Sequence, residues 1–295
     1  MTLRPLVAAG VTPVLVAAPT GVVVWVLERQ AALPGPGDRG YETAVVFAAL
    51  AATAAALLAL ERWLPAVPAW SDGWTRQLGV DLAHGTISAT LGTSAARVVL
   101  FGLVAAVSAG GAGIGVWPAD WPLLAQLPLA IVVSDLGMYA LHRASHAIPA
   151  LWRIHAVHHS TERLYTVASG RVHPVYSALA VLCATGPILV LGAPPPLFAL
   201  LSTFVGAAGL VQHSNVALDA RPVRWLLATA DAHRWHHAAD PAEGGVNFGN
   251  TLSWWDRLFG TWRVPAGQPA AVGLGDPSYP QGWFGQLVAP FVRRG

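Results

Sequence analysis

Apolar residues run through this chain in blocks too long and too continuous to be the stripe of a water-facing helix. Residues 5–27 (PLVAAGVTPVLVAAPTGVVVWVL), 43–60 (TAVVFAALAATAAALLAL) and 121–141 (WPLLAQLPLAIVVSDLGMYAL) are nearly unbroken. Each approaches the ~20 residues a helix needs to cross about 30 Å of hydrocarbon. A fourth block fills 80–109, and two more, at 175–191 and 196–212, are parted only by the turn GAPPP. So short a Gly/Pro break fits a tight helical hairpin. Arg97 interrupts the fourth block; an arginine at mid-bilayer costs at least ~2.5 kcal/mol. That segment is therefore expected to be partly re-entrant or to turn Arg97 into the bundle. The pattern predicts an all-α integral membrane protein built of helical hairpins.

Composition supports the same solvent. The chain is 54% hydrophobic and 11% charged, with a mean hydropathy of +0.51, whereas soluble domains carry about 25% charged residues. The first apolar run is longer than the 7–15 residues of a cleavable leader's core, so it reads as a retained span. All 17 basic residues are arginines, which together with the abundance of Ala, Gly and Pro points to GC-rich bacterial coding. A net charge of +2 says nothing sharp about partners, and no basic run suggests nucleic acid. The one cysteine, Cys183, sits in an apolar stretch, without the electropositive setting that thiol catalysis requires.

Arginines also orient the spans. The loops at 110–120 and 192–195 contain none and the loop at 28–42 contains two, whereas Arg4, Arg62, Arg76, Arg143, Arg153, Arg163, Arg171 and every arginine from 221 onward fall on the other face. The positive-inside rule makes that face cytoplasmic and places the protein in a bacterial inner membrane.

Ten of the eleven histidines lie between 142 and 237, all on this face. His142 and His146 are one helical turn apart, and His155, His158 and His159 repeat at i, i+3, i+4, as do His233, His236 and His237. Residues so spaced project from one side of a helix. Eight imidazoles on three helical faces predict a site for more than one metal, since neutral imidazole ligates iron, zinc and copper. His84, isolated after VDLA, reads as structural instead. The absence of thiolates argues against iron–sulfur clusters and structural zinc, and the absence of HExxH argues against a zinc protease. A zinc-dependent lipid hydrolase remains open, with Glu162 or Glu243 as its base. A metal transporter would carry its histidines at mid-membrane, whereas these flank the spans. Iron is the metal whose oxygen chemistry suits a site at a lipid boundary.

The motifs DLGMYALHRASH, LWRIHAVHHS, RVHP, QHSN, HRWHH and NFGNTLSWWDRLFGTW, in this order, resemble the fatty acid hydroxylase/sterol desaturase superfamily over about residues 135–262. The resemblance implies a helical membrane core under a cytosolic helical cap. In that cap two non-haem irons would be held by His142, His146, His155, His158, His159, His233, His236 and His237. His213 would supply a ninth ligand, and His173 either a tenth or a pocket wall. The implied activity is O2-dependent hydroxylation of a membrane lipid, with desaturation by the same site as the alternative. Electrons would come from a separate ferredoxin- or cytochrome-type protein. Asp135 and Asp231 are candidates to accept ring N–H bonds from the ligands, Asp231 alternatively to cap the helix before AHRWHH. Asn247 is read as shaping a turn or taking a polar role at the metals, and Trp254, Trp255 and Phe259 as interfacial anchors. The chain then divides into an N-terminal membrane region at 1–120 with about three spans, a catalytic domain at 121–265 and a tail at 266–295.

Overall fold

The computed structural model describes residues 14–26, 39–71, 76–109, 115–218, 220–221 and 223–292. Helices dominate: α1 (Val14–Val26), α2 (Arg39–Trp63), α3 (Arg76–Ala83), α4 (Ala89–Ala109), α5 (Leu123–Ala147), α6 (Pro149–His159), α7 (Pro174–Leu191), α8 (Pro195–His213), α9 (Ala230–His236), α10 (Trp254–Leu258) and α11 (Trp283–Val292). Extended pairing among the described residues is limited to isolated bridges. Among the described residues, five stretches are long and apolar enough to span a bilayer: Thr43–Trp63, Gln77–Leu103, Leu123–Ala147, Pro174–Leu191 and Pro195–His213. The apolar run at 5–27 is described only as the shorter helix α1, its beginning lying outside the described residues.

The expectation for Arg97 is corrected. A π-helical turn at His84–Ser88 joins α3 to α4 without a break, and Arg97 is exposed on the outer side of the helix. The inner positions are occupied by the small or apolar Gly92, Ala96 and Leu100, each four residues from the next. Small residues let membrane helices approach closely. A Cβ on Gly92 would stand 2.3 Å from the Pro174 carbonyl oxygen of α7, and one on Gly137 of α5 would stand 2.1 Å from that of Cys183. Leu127, Ala130 and Ile131 of α5 then pack with Ile188, Leu197, Leu200 and Leu201 as the main core.

The ends of the spans are closed differently. At the end away from the histidines, Gly192 caps α7 with φ +96°, which a side chain would strain, and so sets the α7–α8 hairpin. The buried Gln126 accepts from Trp117 Nε1 at 2.7 Å beside it. At the histidine end, buried polar pairs replace lipid contacts. Glu61 of α2 accepts from Thr166 N and Oγ1, each at 2.7 Å, and from Asn215 N at 2.9 Å. Arg171 donates through Nε to Asp81 of α3 at 2.5 Å, and Tyr165 also bonds that carboxylate. Of the three expected anchors, Trp255 packs on the helical core, while Trp254 and Phe259 are exposed.

Candidate metal centre

Four helices deliver the histidines to one place. α5 runs past its apolar core for a further two turns carrying His142 and His146. Pro149, tolerated at the first position of a helix, restarts the chain as α6 after the extended Ile148. α6 then brings His155, His158 and His159 back against α5, and all three are buried. α8 ends on His213. The seven-residue α9 carries His233 and His236, with His237 at its C-cap.

These nine residues form two groups whose ligand atoms lie within 4.8 Å of one another: His142, His146, His155, His159 and His236 in one, His158, His213, His233 and His237 in the other. Each HxxHH is therefore split, with the first and last histidines of α6 on one group and its middle one on the other. α9 splits the opposite way.

The orientation of the rings shows what the groups can hold. His158 Nδ1 donates to the Arg171 carbonyl at 3.2 Å, and His213 Nδ1 to that of Gly209 at 2.9 Å. Both protons thus point outward, and the two Nε2 atoms meet at 3.2 Å as facing lone pairs. His233 and His237 approach the same point, with Nε2 contacts of 3.0 Å to His213 and 3.2 Å to His158. About 3 Å is the separation expected between neighbouring nitrogens each ~2.1 Å from a shared ion. In the five-histidine group, His142 and His236 donate backward to the carbonyls of Phe248 and Val246, each at 2.8 Å. Nε2 of His142 and of His146, and both nitrogens of His155, have no hydrogen-bond partner among the described residues although buried. Buried imidazoles without partners are costly, and a cation between the rings removes that cost. At neutral pH a proton does not take that place. Burial, followed by repulsion among neighbouring histidines, holds His155, His158, His159, His233, His236 and His237 well below the usual histidine pKa, as neutral bases.

A cavity of about 580 Å³ opens onto the five-histidine group. His146, His159 and His236 form its inner end, Trp152 and Phe248 part of its wall, and the exposed Arg143 part of its rim.

The remaining sequence candidates lie elsewhere. His173 is outside both groups: its Nδ1 accepts from Val175 N at 3.1 Å as the N-cap of α7, and its Nε2 lies 3.2 Å from the Leu287 carbonyl. Asp135 accepts from Leu252 N at 2.9 Å, and Asp231 pairs with Arg224 and accepts from Thr229 Oγ1 at 2.5 Å. At His142, His158, His213 and His236 a backbone carbonyl stands where a carboxylate was expected, and the N-cap of α9 is Thr229 rather than Asp231. Asn247 shapes a turn, with φ +56°, and donates to the carbonyls of Ala232 and Arg263 at 3.0 and 2.7 Å. His84 bonds Ser88 and Gln286, each at 3.0 Å, away from both groups. Asp256 went unremarked within its motif. It accepts from the backbone N–H of Phe248 and Gly249 at 2.7 and 2.8 Å, fixing the loop whose carbonyl orients His142.

Fold and site together define a helical membrane protein with two buried all-histidine groups near the ends of its spans. The profile of the fatty acid hydroxylase family matches residues 127–261. Ornithine lipid hydroxylase OlsE of Rhizobium tropici is 34% identical over 82% of this chain and 74% of its own. Alkylglycerol monooxygenase of Danio rerio is 32% identical over 55% of this chain and 34% of its own, and methylsterol monooxygenase 1 of the same organism 31% over 48% of each. No solved structure matches. The chain belongs to the fatty acid hydroxylase family, and its relatives' activities support an oxidoreductase.

Proposed function

We propose that this protein is a membrane-bound, non-haem di-iron enzyme that uses O2 to hydroxylate an unactivated C–H bond of a membrane lipid. The observation that carries the reading is the meeting of outward-protonated imidazoles, lone pair to lone pair, at His158 and His213. One iron would be held by His142, His146, His155, His159 and His236, the other by His158, His213, His233 and His237. All-nitrogen ligation without thiolate suits iron, and the bound pair would supply the redox chemistry that activates O2.

The chain's own residues do the rest. The carbonyls of Phe248, Val246, Arg171 and Gly209 fix ring tautomers and aim Nε2 inward. The cavity beside His146, His159 and His236 admits the reacting part of the substrate, and Trp152 and Phe248 give it an apolar wall. The overall reaction takes a C–H bond, O2, two electrons and two protons to C–OH and water. The electrons come from a separate ferredoxin- or cytochrome-type donor on the cytoplasmic side, where the arginine asymmetry puts the cap. Reporter fusions after residues 115 and 193 test that orientation and should be active only outside the cytoplasm.

The relatives named above are an ornithine lipid hydroxylase, an alkylglycerol monooxygenase and a methylsterol monooxygenase, which favours hydroxylation over desaturation. The test is metal analysis of the purified protein followed by turnover on membrane lipid under 18O2. Two irons per chain and one 18O in the product are expected. Loss of two hydrogens without label would replace hydroxylation by desaturation, and turnover without O2 would overturn the reading.

A further inference from the structure

α11 has the polarity of a water-facing surface helix turned inside out. Its polar residue, Gln286, is fully buried, with Ala289 and Pro290 beside it. Phe284, Val288, Phe291 and Val292 are its exposed residues, at 73%, 36%, 68% and 66% of their surface. These positions, at i, i+4, i+7 and i+8, form one face. A contiguous apolar face on a short helix marks an interaction surface.

Its location decides what covers that face. At its start Trp283 Nε1 donates to Ser88 Oγ at 3.1 Å, inside the Gln77–Leu103 span. Toward its end the Leu287 carbonyl lies 3.2 Å from His173 Nε2, and Phe291 packs on the same ring, 5.8 Å between centroids. His173 directly precedes the Pro174–Leu191 span. Gly92, one turn beyond Ser88, packs on Pro174, so α11 lies across α4 and α7 at the level where the Pro174–Leu191 span begins. The residues next to those attachment points, Ile87 and Val175, are themselves exposed and apolar, and Leu91 and Val98 continue that surface along α4. Its outer face is continuous with the surface that the spans present to hydrocarbon. Arg293 and Arg294 follow in the sequence, a charge suited to anionic headgroups.

We infer that α11 is seated in the membrane–water interface, with Phe284, Val288, Phe291 and Val292 embedded in lipid. The segment after the catalytic domain is then a membrane-supported strut rather than a free tail. Inward, Gln286 donates to Ser160 Oγ at 3.1 Å, one residue beyond His159, and bonds His84 Nε2 at 3.0 Å. The strut ties the metal-bearing α6 to the bilayer surface. This inference does not depend on which reaction the metal centre performs.

The test uses the full-length protein in nanodiscs containing phosphatidylglycerol. With Cys183→Ser as background, Phe284→Cys, Phe291→Cys and, as an exposed cap control, Ala242→Cys are each labelled with a bimane fluorophore. At 284 and 291 we expect iodide quenching several-fold weaker than at 242 and strong quenching by shallow doxyl-labelled lipid. Iodide quenching equal to that at 242 would mean the face meets water and would overturn the inference. Protection from both quenchers would mean that protein, such as a second copy of the chain, covers it, and would overturn it equally.

Discussion

Acidification of the metal-free protein tests the electrostatics of the centre directly. Six histidines outside the spans, His155, His158, His159, His233, His236 and His237, are held neutral by burial, with pKa well below the usual value. In the unfolded chain each titrates near ~6.5. Below that pH the unfolded state binds protons that the folded state refuses. The stabilising contribution is therefore complete above about pH 6.5 and is lost as the pH falls toward the depressed folded values. Between about pH 6.5 and 5.5 a histidine that stays neutral in the folded state costs about 1 kcal/mol. A whole domain has only 5–15 kcal/mol. At about 2 °C or more per kcal/mol for a chain of this size, the melting temperature should fall by at least about 2 °C across that unit. The assay is a thermal melt of chelator-treated protein in detergent at constant ionic strength, stepped from about pH 7.5 to 5.5. A midpoint that stays flat or rises over that range would refute the argument, because it would mean that the imidazoles are already charged or exposed.

Other consequences are sharper in their location. Asp81→Asn leaves the Arg171 guanidinium, 1% exposed, without its charge partner, and should cost about 3–5 kcal/mol, read as a lower melting temperature at fixed detergent. Gly137→Ala puts a Cβ 2.1 Å from the Cys183 carbonyl oxygen, whereas nothing lies within 4 Å of a Cβ at Gly102. The first should abolish the monodisperse peak in size-exclusion chromatography and Gly102→Ala should leave it intact; equal yields would contradict the close α5–α7 approach. His158→Ala and His236→Ala should lose metal and activity together. His84→Ala, which removes bonds to Ser88 and Gln286, should lower stability yet retain bound metal by elemental analysis.

Hydropathy alone determined that the chain is a helical membrane protein, because lipid offers no partner for an unpaired backbone group and a helix pairs its own. Five of the six apolar blocks became helices of spanning length. The candidate ligands were equally legible, since the α-helical period puts i, i+3 and i+4 on one face whatever the surrounding structure. That is a local property of His155, His158 and His159 and of His233, His236 and His237. Their division was not local. Which ring of each HxxHH joins which group depends on how α5, α6, α8 and α9 cross, so the split of five and four, and the exclusion of His173, emerged only with the fold. The tautomer-fixing partners were hidden for another reason. Asp135 and Asp231 attract attention because carboxylates have a residue type, but the groups that orient the rings are the carbonyls of Phe248, Val246, Arg171 and Gly209. A carbonyl is present at every residue, and only the tertiary path of the backbone decides which of them faces an imidazole.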